Sequence, residues 1–84
     1  MYSVYIIRSQ NRNYTYIGIS DNVERRLNQH NLGYNKTTKP YSPFKLLHVE
    51  NLPSRQEARK REKYYKDWEG RNKIKEIIAG VAEW

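Results

Sequence analysis

The sequence predicts an α+β fold, a three-stranded antiparallel sheet flanked by helices in the order β-β-α-β-α-α. The chain opens with two short segments rich in tyrosine and β-branched residues, separated by a polar cluster, which is typical of a β-hairpin. Helix-start signals precede two later polar segments, and an apolar strand lies between these segments. Because a sheet that begins with a hairpin is not doubly wound and parallel, an α+β arrangement is favoured. We expect residues 1–84 to form one domain, since the chain has 84 residues.

The predicted hairpin consists of residues 2–8 and 14–19. Side chains alternate between the two faces of a strand, so Val4, Ile6 and Ile17 should share one apolar face. This face is expected to point toward the core.

The opposite face of the hairpin carries two tyrosines. If Arg8 and Asn13 close a four-residue loop, Tyr5 lies directly opposite Tyr16. Gly18 would then leave an open patch beside the two phenols, where a ligand could approach the backbone. Taken alone, the tyrosines fit an aromatic cross-strand pair that only stabilises the sheet.

The first helix is predicted over residues 22–31. Asp21 and Glu24 have the spacing of a capping box, and Gly33 is a plausible stop. The helix is amphipathic, and its inward face is what positions side chains for chemistry.

On this helix Val23, Leu27 and His30 share one face. Arg26 borders that apolar stripe, whereas Arg25 is turned toward solvent. An arginine that snorkels beside a partly packed histidine explains the pattern equally well.

The middle of the chain predicts a polar loop over residues 34–43 and a third strand over residues 44–50. Ser54 and Glu57 form a second possible capping box, which opens a helix that runs to about Glu69. The two strand-to-helix transitions complete the predicted order.

The second helix places Glu62, Tyr65 and Trp68 on the stripe that should face the sheet. A carboxylate in such a place needs a cation or hydrogen-bond donors. An ion pair with Arg59 or Arg61 would meet this need, and so would a bound metal ion.

Gly70 and Asn72 are predicted to separate the second helix from a short apolar helix that contains Ile74, Ile77 and Ile78. An alternative use of the C-terminal apolar residues is docking on a partner protein. This alternative involves Ile77, Ile78, Val81 and Trp84, which are also expected simply to close the core.

Charge favours a polyanionic partner. Lysine and arginine number 16 against 9 acidic residues, for a net charge of +7, and nucleic acid is the commonest polyanion inside cells. There is no cysteine, and we find neither an apolar segment long enough to span a bilayer nor a leader peptide. A cytoplasmic protein that does not associate with membranes is therefore expected.

Three motifs together resemble the GIY-YIG nuclease superfamily: SVY at 3–5, YIG at 16–18 and ERRLNQH at 24–30. The chain is most similar to the small stand-alone bacterial members, which are related to the nuclease domain of the excision-repair incision subunit. The resemblance extends over nearly the whole chain. Ser3 departs from it, because glycine opens the first motif of the family.

The resemblance implies a catalytic set made of Tyr5, Tyr16, Arg26, His30 and Glu62. Glu62 would hold one Mg²⁺ or Mn²⁺ ion, and Arg26 would neutralise the scissile phosphate. Tyr5 is preferred as the general base if a neighbouring cation lowers its pKa, and His30 is the rival base.

The implied activity is that of a divalent-metal-dependent endonuclease on DNA, structure-selective or non-specific, in repair or recombination. The substrate would be branched or damaged DNA. The rival is a non-catalytic DNA- or RNA-binding module. Asn72 matches a late asparagine of some members only loosely. The residues expected to contact nucleic acid are Gly18, Arg25, Lys36, Lys39, Arg59 and Lys63.

Overall fold

The computed structural model describes residues 1–80 and places the first strand at the centre of a three-stranded antiparallel sheet, in the order β2-β1-β3. The predicted order β-β-α-β-α-α is confirmed. A short 3₁₀ turn, Lys39–Tyr41, interrupts the loop before the third strand. The elements are β1 (Tyr2–Ser9), β2 (Thr15–Ser20), α1 (Val23–Asn31), β3 (Phe44–Leu52), α2 (Arg55–Lys66) and α3 (Trp68–Ala79).

One face of the sheet packs against α2 and α3. Val4 and Ile6 of β1 are fully buried there with Ala58, Tyr65 and Ile74 of the two helices. The predicted apolar face of the hairpin is therefore the main core. Ile77 and Ile78 are half-buried on α3, whereas Val81 and Trp84 lie outside the described residues.

The other face packs against α1 and the loop that follows it. Tyr5, Ile7 and Phe44 are buried there, beside half-buried Leu27 of α1. The side-chain amide of Asn31, at the end of α1, accepts a 2.6 Å bond from the Phe44 N–H. Since β1 is covered on both faces, its buried residues run consecutively instead of alternating.

The hairpin register differs from the prediction by two residues. Tyr5 lies opposite Gly18, not Tyr16. The four-residue loop starts one position later, because the Ser9 N–H donates to the Tyr14 carbonyl at 2.9 Å and the Ser9 hydroxyl accepts two backbone N–H groups of the loop. A shift of two preserves the faces, so Tyr5 and Tyr16 still lie on the same side.

Helix α1 begins at Val23, and its N-cap is Asn22. The Asn22 side chain accepts from the Arg25 N–H at 3.1 Å, so the prediction of Asp21 as the cap was wrong. Asp21 instead forms a 3.3 Å ion pair with the Arg25 guanidinium. Gly33 has a φ of 81°, in the left-handed region that favours glycine after a helix, and ends the helical segment as predicted.

The break between the last two helices lies at Asp67, not at Gly70 and Asn72. Asp67 has an extended backbone, and the prediction of Trp68 on the inward face of the second helix was wrong, because Trp68 begins α3 and is 77% exposed. Gly70 is buried within α3, where a Cβ would collide with the backbone of Tyr64 and Tyr65. Glycine therefore serves close packing of the two helices rather than a turn.

Helix α2 begins as predicted, with the Ser54 hydroxyl accepting from the Glu57 N–H at 3.2 Å. Its N-terminus follows β3, which extends two residues beyond the predicted strand, to Leu52. Within residues 1–80, none of the helices combines the length and apolar character that crossing a bilayer requires.

A polar cluster on β3 fixes the position of α2. The Glu50 carboxylate accepts hydrogen bonds from Tyr65 and, at 2.7 Å, from Nε of Arg61, and it lies 2.8 Å from Nε2 of His48. Burial raises the pKa of Glu50, but the bonds from its partners outweigh burial and lower the pKa to about 2. Burial and the bond to the carboxylate raise the pKa of Tyr65 to about 12. Arg61 and Tyr65 belong to the same helix as Glu62, so the cluster ties the helix that carries Glu62 to β3.

Candidate functional site

Three aromatic rings converge between β1, β2 and α1. Tyr5 and His30 are each 1% exposed, and the Tyr5 hydroxyl lies 3.0 Å from Nε2 of His30. The Tyr16 ring stands 4.8 Å from the His30 ring and 6.2 Å from the Tyr5 ring, centroid to centroid. Tyr16 is half-buried, so it lies between the buried pair and solvent.

Gly18 does not form the open patch that the sequence suggested. It is buried directly opposite Tyr5, and a Cβ at this position would stand 2.6 Å from the Tyr5 hydroxyl oxygen and 3.0 Å from the Tyr16 ring. The two-residue shift of the register causes this, since the phenol of Tyr5 lies across the glycine. Gly18 makes room for the tyrosine rather than for a ligand.

The second nitrogen of His30 contacts a residue that sequence reasoning missed. Nδ1 lies 2.8 Å from the hydroxyl of Thr38, which is fully buried in the loop after α1. The carbonyl of Asn35 lies 3.4 Å from the Thr38 hydroxyl as an acceptor for its proton, which favours the tautomer with an N–H at Nδ1. In this tautomer Nε2 carries no proton and accepts from the Tyr5 hydroxyl.

Burial controls the protonation of this pair. Burial, and then the positive charge of Arg26, lower the pKa of His30, so the imidazole is neutral at pH 7. Burial also raises the pKa of Tyr5, and a hydrogen bond from Arg26 only partly opposes this. Arg26 by itself therefore does not bring the pKa of Tyr5 below its usual value. The structure therefore presents a protonated phenol bonded to a neutral imidazole.

Arg26 lies at the boundary between this pair and solvent. It is half-buried, and its Nη1 donates to the side-chain oxygen of Gln29 at 2.9 Å. Together with His30 and Lys36 it lines a polar cleft of about 360 Å³. Arg25, by contrast, is exposed and paired with Asp21, as the helical spacing predicted.

Glu62 approaches the site from α2. Its side chain is 15% exposed and forms a 3.5 Å ion pair with Lys66. Neither predicted ion-pair alternative is present, since Arg61 is paired with Glu50 and Arg59 is exposed on α2. The Glu62 charge is also one of the causes that raise the pKa of Tyr5, so this carboxylate acts electrostatically on the aromatic cluster.

The donor set suits one hard divalent ion held loosely. Within residues 1–80 there is no group of three or more His, Cys, Asp or Glu side chains that could enclose a metal. Mg²⁺ commonly binds through one or two carboxylates, with water and substrate phosphate as its other ligands. A single, nearly buried Glu62 carboxylate fits that mode and does not fit a preformed protein cage.

The other residues expected to contact nucleic acid are spread over two surfaces. Lys36 lies in the cleft with Arg26, and Lys39 is exposed in the neighbouring 3₁₀ turn. Arg59 and Lys63 are exposed on α2. Asn72 is exposed on α3.

A buried tyrosine–histidine pair beside a half-buried arginine and a helical carboxylate is typical of the polar clusters found in catalytic domains. A family model described as the GIY-YIG catalytic domain matches residues 1–75. The chain therefore belongs to the GIY-YIG family, and this domain implies nuclease-type activity on nucleic acid.

Two relatives and one solved structure carry the name UPF0213. The chain is 38% identical over 63 residues to a UPF0213 protein from Halobacterium salinarum, covering 74% of this chain and 80% of the relative. It is 35% identical over 75 residues to a UPF0213 protein from Listeria welshimeri, covering 88% and 82%. The solution NMR structure of a UPF0213 protein from Bacillus halodurans matches with a TM-score of 0.55 and 28% identity, covering 98% of this chain and 88% of that one.

Proposed function

We propose that this protein is a divalent-metal-dependent endonuclease that hydrolyses DNA phosphodiester bonds, structure-selectively or without specificity, in DNA repair or recombination. The observation that carries the proposal is the buried 3.0 Å contact between the Tyr5 hydroxyl and Nε2 of His30. A neutral imidazole behind a phenol is a proton acceptor, and hydrolysis requires one for the attacking water.

The proton path follows from the tautomer of His30. Water would give a proton to the Tyr5 oxygen as the Tyr5 proton moves to Nε2, which yields hydroxide and an imidazolium held by Thr38. Tyr5 alone is disfavoured as the base that deprotonates the water. Burial raises the pKa of Tyr5, so its phenol stays protonated. We therefore assign the role of base to His30, acting through Tyr5. Half-buried Tyr16 and Arg26 border the pair on its solvent side, where the water would enter.

Arg26 suits the developing negative charge on the phosphorane. Its planar guanidinium is always charged and donates in a rigid fork to phosphate oxygens. The bond to Gln29 orients this fork toward the cleft it shares with Lys36. Lys36 would hold a neighbouring phosphate.

Glu62 would hold the divalent ion, Mg²⁺ or Mn²⁺. When bound, the ion supplies Lewis-acid stabilisation of the phosphate and the leaving oxygen. In the structure the Lys66 ammonium lies beside this carboxylate, at 3.5 Å.

Cleavage of labelled branched, nicked and duplex DNA, with Mg²⁺ or Mn²⁺ and with EDTA, tests the proposal. EDTA is expected to abolish cleavage. Glu62→Gln should lower the rate about 100-fold or more, because the ion would provide several kcal/mol of charge stabilisation. Glu57→Gln is the matched control on the same helix, since Glu57 is exposed and paired with Lys60. It should cut at the wild-type rate.

Two outcomes would contradict the proposal in different ways. Salt-sensitive DNA binding without strand breaks under either ion would favour the non-catalytic binding module. Equal cleavage by wild type, Glu62→Gln and Arg26→Ala would show that the reaction takes place elsewhere.

A further inference from the structure

A basic groove runs beside the candidate site, along the outer edge of β2. It has a volume of about 550 Å³ and lies between β2 and helix α3, with the last turn of α2 at one end. Its cations are Arg8 of β1, Lys66 of α2, and Arg71 and Lys75 of α3, and its wall on β2 includes Tyr16. All of the charged side chains among the described residues that line it are cationic.

The groove is continuous with the groups assigned to catalysis. Tyr16 belongs both to the aromatic cluster around His30 and to the wall of the groove. Lys66 lines the groove and at the same time forms the ion pair with Glu62. A strand whose scissile phosphate lies near Glu62 and Tyr16 would therefore enter the groove with its next phosphates.

Helical spacing aligns the cations of α3. Arg71 and Lys75 are four residues apart, so they lie on one face, about 6 Å apart along the axis. Ile74 lies between them on the same face and is buried in the core. This anchors α3 while the two cations stay exposed, and phosphates of one DNA strand are spaced similarly, on the order of 6 to 7 Å.

We propose that this groove binds the phosphodiester backbone of DNA on one side of the cut, through Lys66, Arg71 and Lys75. The inference rests on the proposed function and identifies the surface that the substrate follows. The sequence predicts DNA contacts at Gly18 of β2, at Arg25 of α1, in the loop after α1 and on α2. The groove adds α3, whose cations no motif had marked.

The test compares two double variants that remove the same charge. Arg71→Ala with Lys75→Ala removes the two groove cations of α3, and Lys60→Ala with Lys73→Ala is the control. Lys60 and Lys73 are 76% and 52% exposed, pair with acids on their own helices and lie outside the groove. Binding to a short fluorescein-labelled DNA duplex is measured by anisotropy in EDTA, over a range of salt concentrations, so that no cleavage is needed.

Loss of two phosphate contacts should reduce the slope of log affinity against log salt by about 1.8 and weaken binding about tenfold or more at 0.2 M salt. The control should keep the wild-type slope to within a few tenths. Equal slopes for both double variants would overturn the assignment of the groove while leaving the nuclease proposal intact. No DNA binding by the wild type would instead refute the nuclease proposal. A changed oligomeric state in the groove variant, with unchanged DNA binding, would identify a second copy of the chain as the occupant and would also overturn the assignment.

Discussion

Thr38→Val removes one hydroxyl from behind His30 and leaves the shape of the buried side chain nearly unchanged. Thr38 is fully buried, and its oxygen lies 2.8 Å from Nδ1 of His30. Valine fills the same space but cannot accept a hydrogen bond. The substitution therefore tests the partner of the imidazole rather than the packing around it.

The stability cost follows from the burial of His30. An intramolecular hydrogen bond contributes about 0.5–1.5 kcal/mol net, and a buried donor without a partner costs about 1–3 kcal/mol. His30 is 1% exposed, so water does not replace the lost partner. We expect the free energy of unfolding to fall by about 1–3 kcal/mol, measured by urea denaturation.

The effect on catalysis comes from the tautomer. If the Thr38 bond favours the Nδ1–H form by about 1.4 kcal/mol, that form predominates about tenfold. Without the bond the two tautomers become comparable, and the Nε2–H form cannot accept from Tyr5. Cleavage at saturating DNA should fall about two- to tenfold, far less than for loss of Glu62.

Three measurements make this prediction refutable. The ¹⁵N chemical shifts of the imidazole nitrogens report the tautomer of His30 directly. Thr38→Ser keeps the hydroxyl and should restore both the shifts and most of the rate. If Thr38→Val leaves shifts and rate unchanged, or if Thr38→Ser is as defective as Thr38→Val, Thr38 does not orient His30.

Three further predictions concern Gly18, His30 and Glu50. Gly18→Ala places a Cβ about 2.6 Å from the Tyr5 hydroxyl, so cleavage should be lost and thermal unfolding should show a destabilisation of about 1–3 kcal/mol; wild-type activity would contradict the tight contact. Because the pKa of His30 is lowered, the native state binds fewer protons than the unfolded state below about pH 6.5, the ordinary pKa of histidine. The contribution of His30 to stability is therefore complete above that pH and declines below it. In the pH profile of kcat/KM, the acid limb should lie below pH 6.5 instead of at it. Because the pKa of Glu50 is about 2, below its ordinary value of 4.5, its contribution to stability is present above pH 4.5 and is lost as the pH falls toward 2. The difference in unfolding free energy between wild type and Glu50→Gln should shrink by roughly 2–3 kcal/mol over that range, and a constant difference would contradict the role of the carboxylate.

The order of elements and the facing of side chains could be predicted because both depend on local periodicity. Helical spacing alone separated Arg26 from Arg25, and strand alternation put Val4 and Ile6 in the core. Helical spacing also put Glu62 on the inward stripe of α2. These predictions need only the neighbours along the chain, and the structure agrees with each of them.

The details that failed depend on single hydrogen bonds or on contacts between distant segments. The hairpin register was set by the Ser9 hydroxyl, which capped the loop one residue later than expected. The cap of α1 is Asn22 instead of Asp21, because the Asn22 side chain accepts from the Arg25 N–H. Thr38 could not be recognised at all, because its role appears only when a polar loop folds back under His30.

The layers of the fold place the two parts of the proposed catalytic site on different faces of β1. Strand β1 presents Tyr5 to α1 and, on its other face, Val4 and Ile6 to α2. The proposed proton acceptor thus lies in one layer, whereas Glu62 belongs to the other layer, on the helix that Arg61 and Tyr65 bond to Glu50 of β3. Since the sheet lies between the two halves of the site, their relative placement depends on the packing of the whole sheet. A change that moves α2 should therefore alter the metal dependence of cleavage while the bond between Tyr5 and His30 remains. Because the two halves are separate, the proposed base and the proposed metal ligand can be tested one at a time.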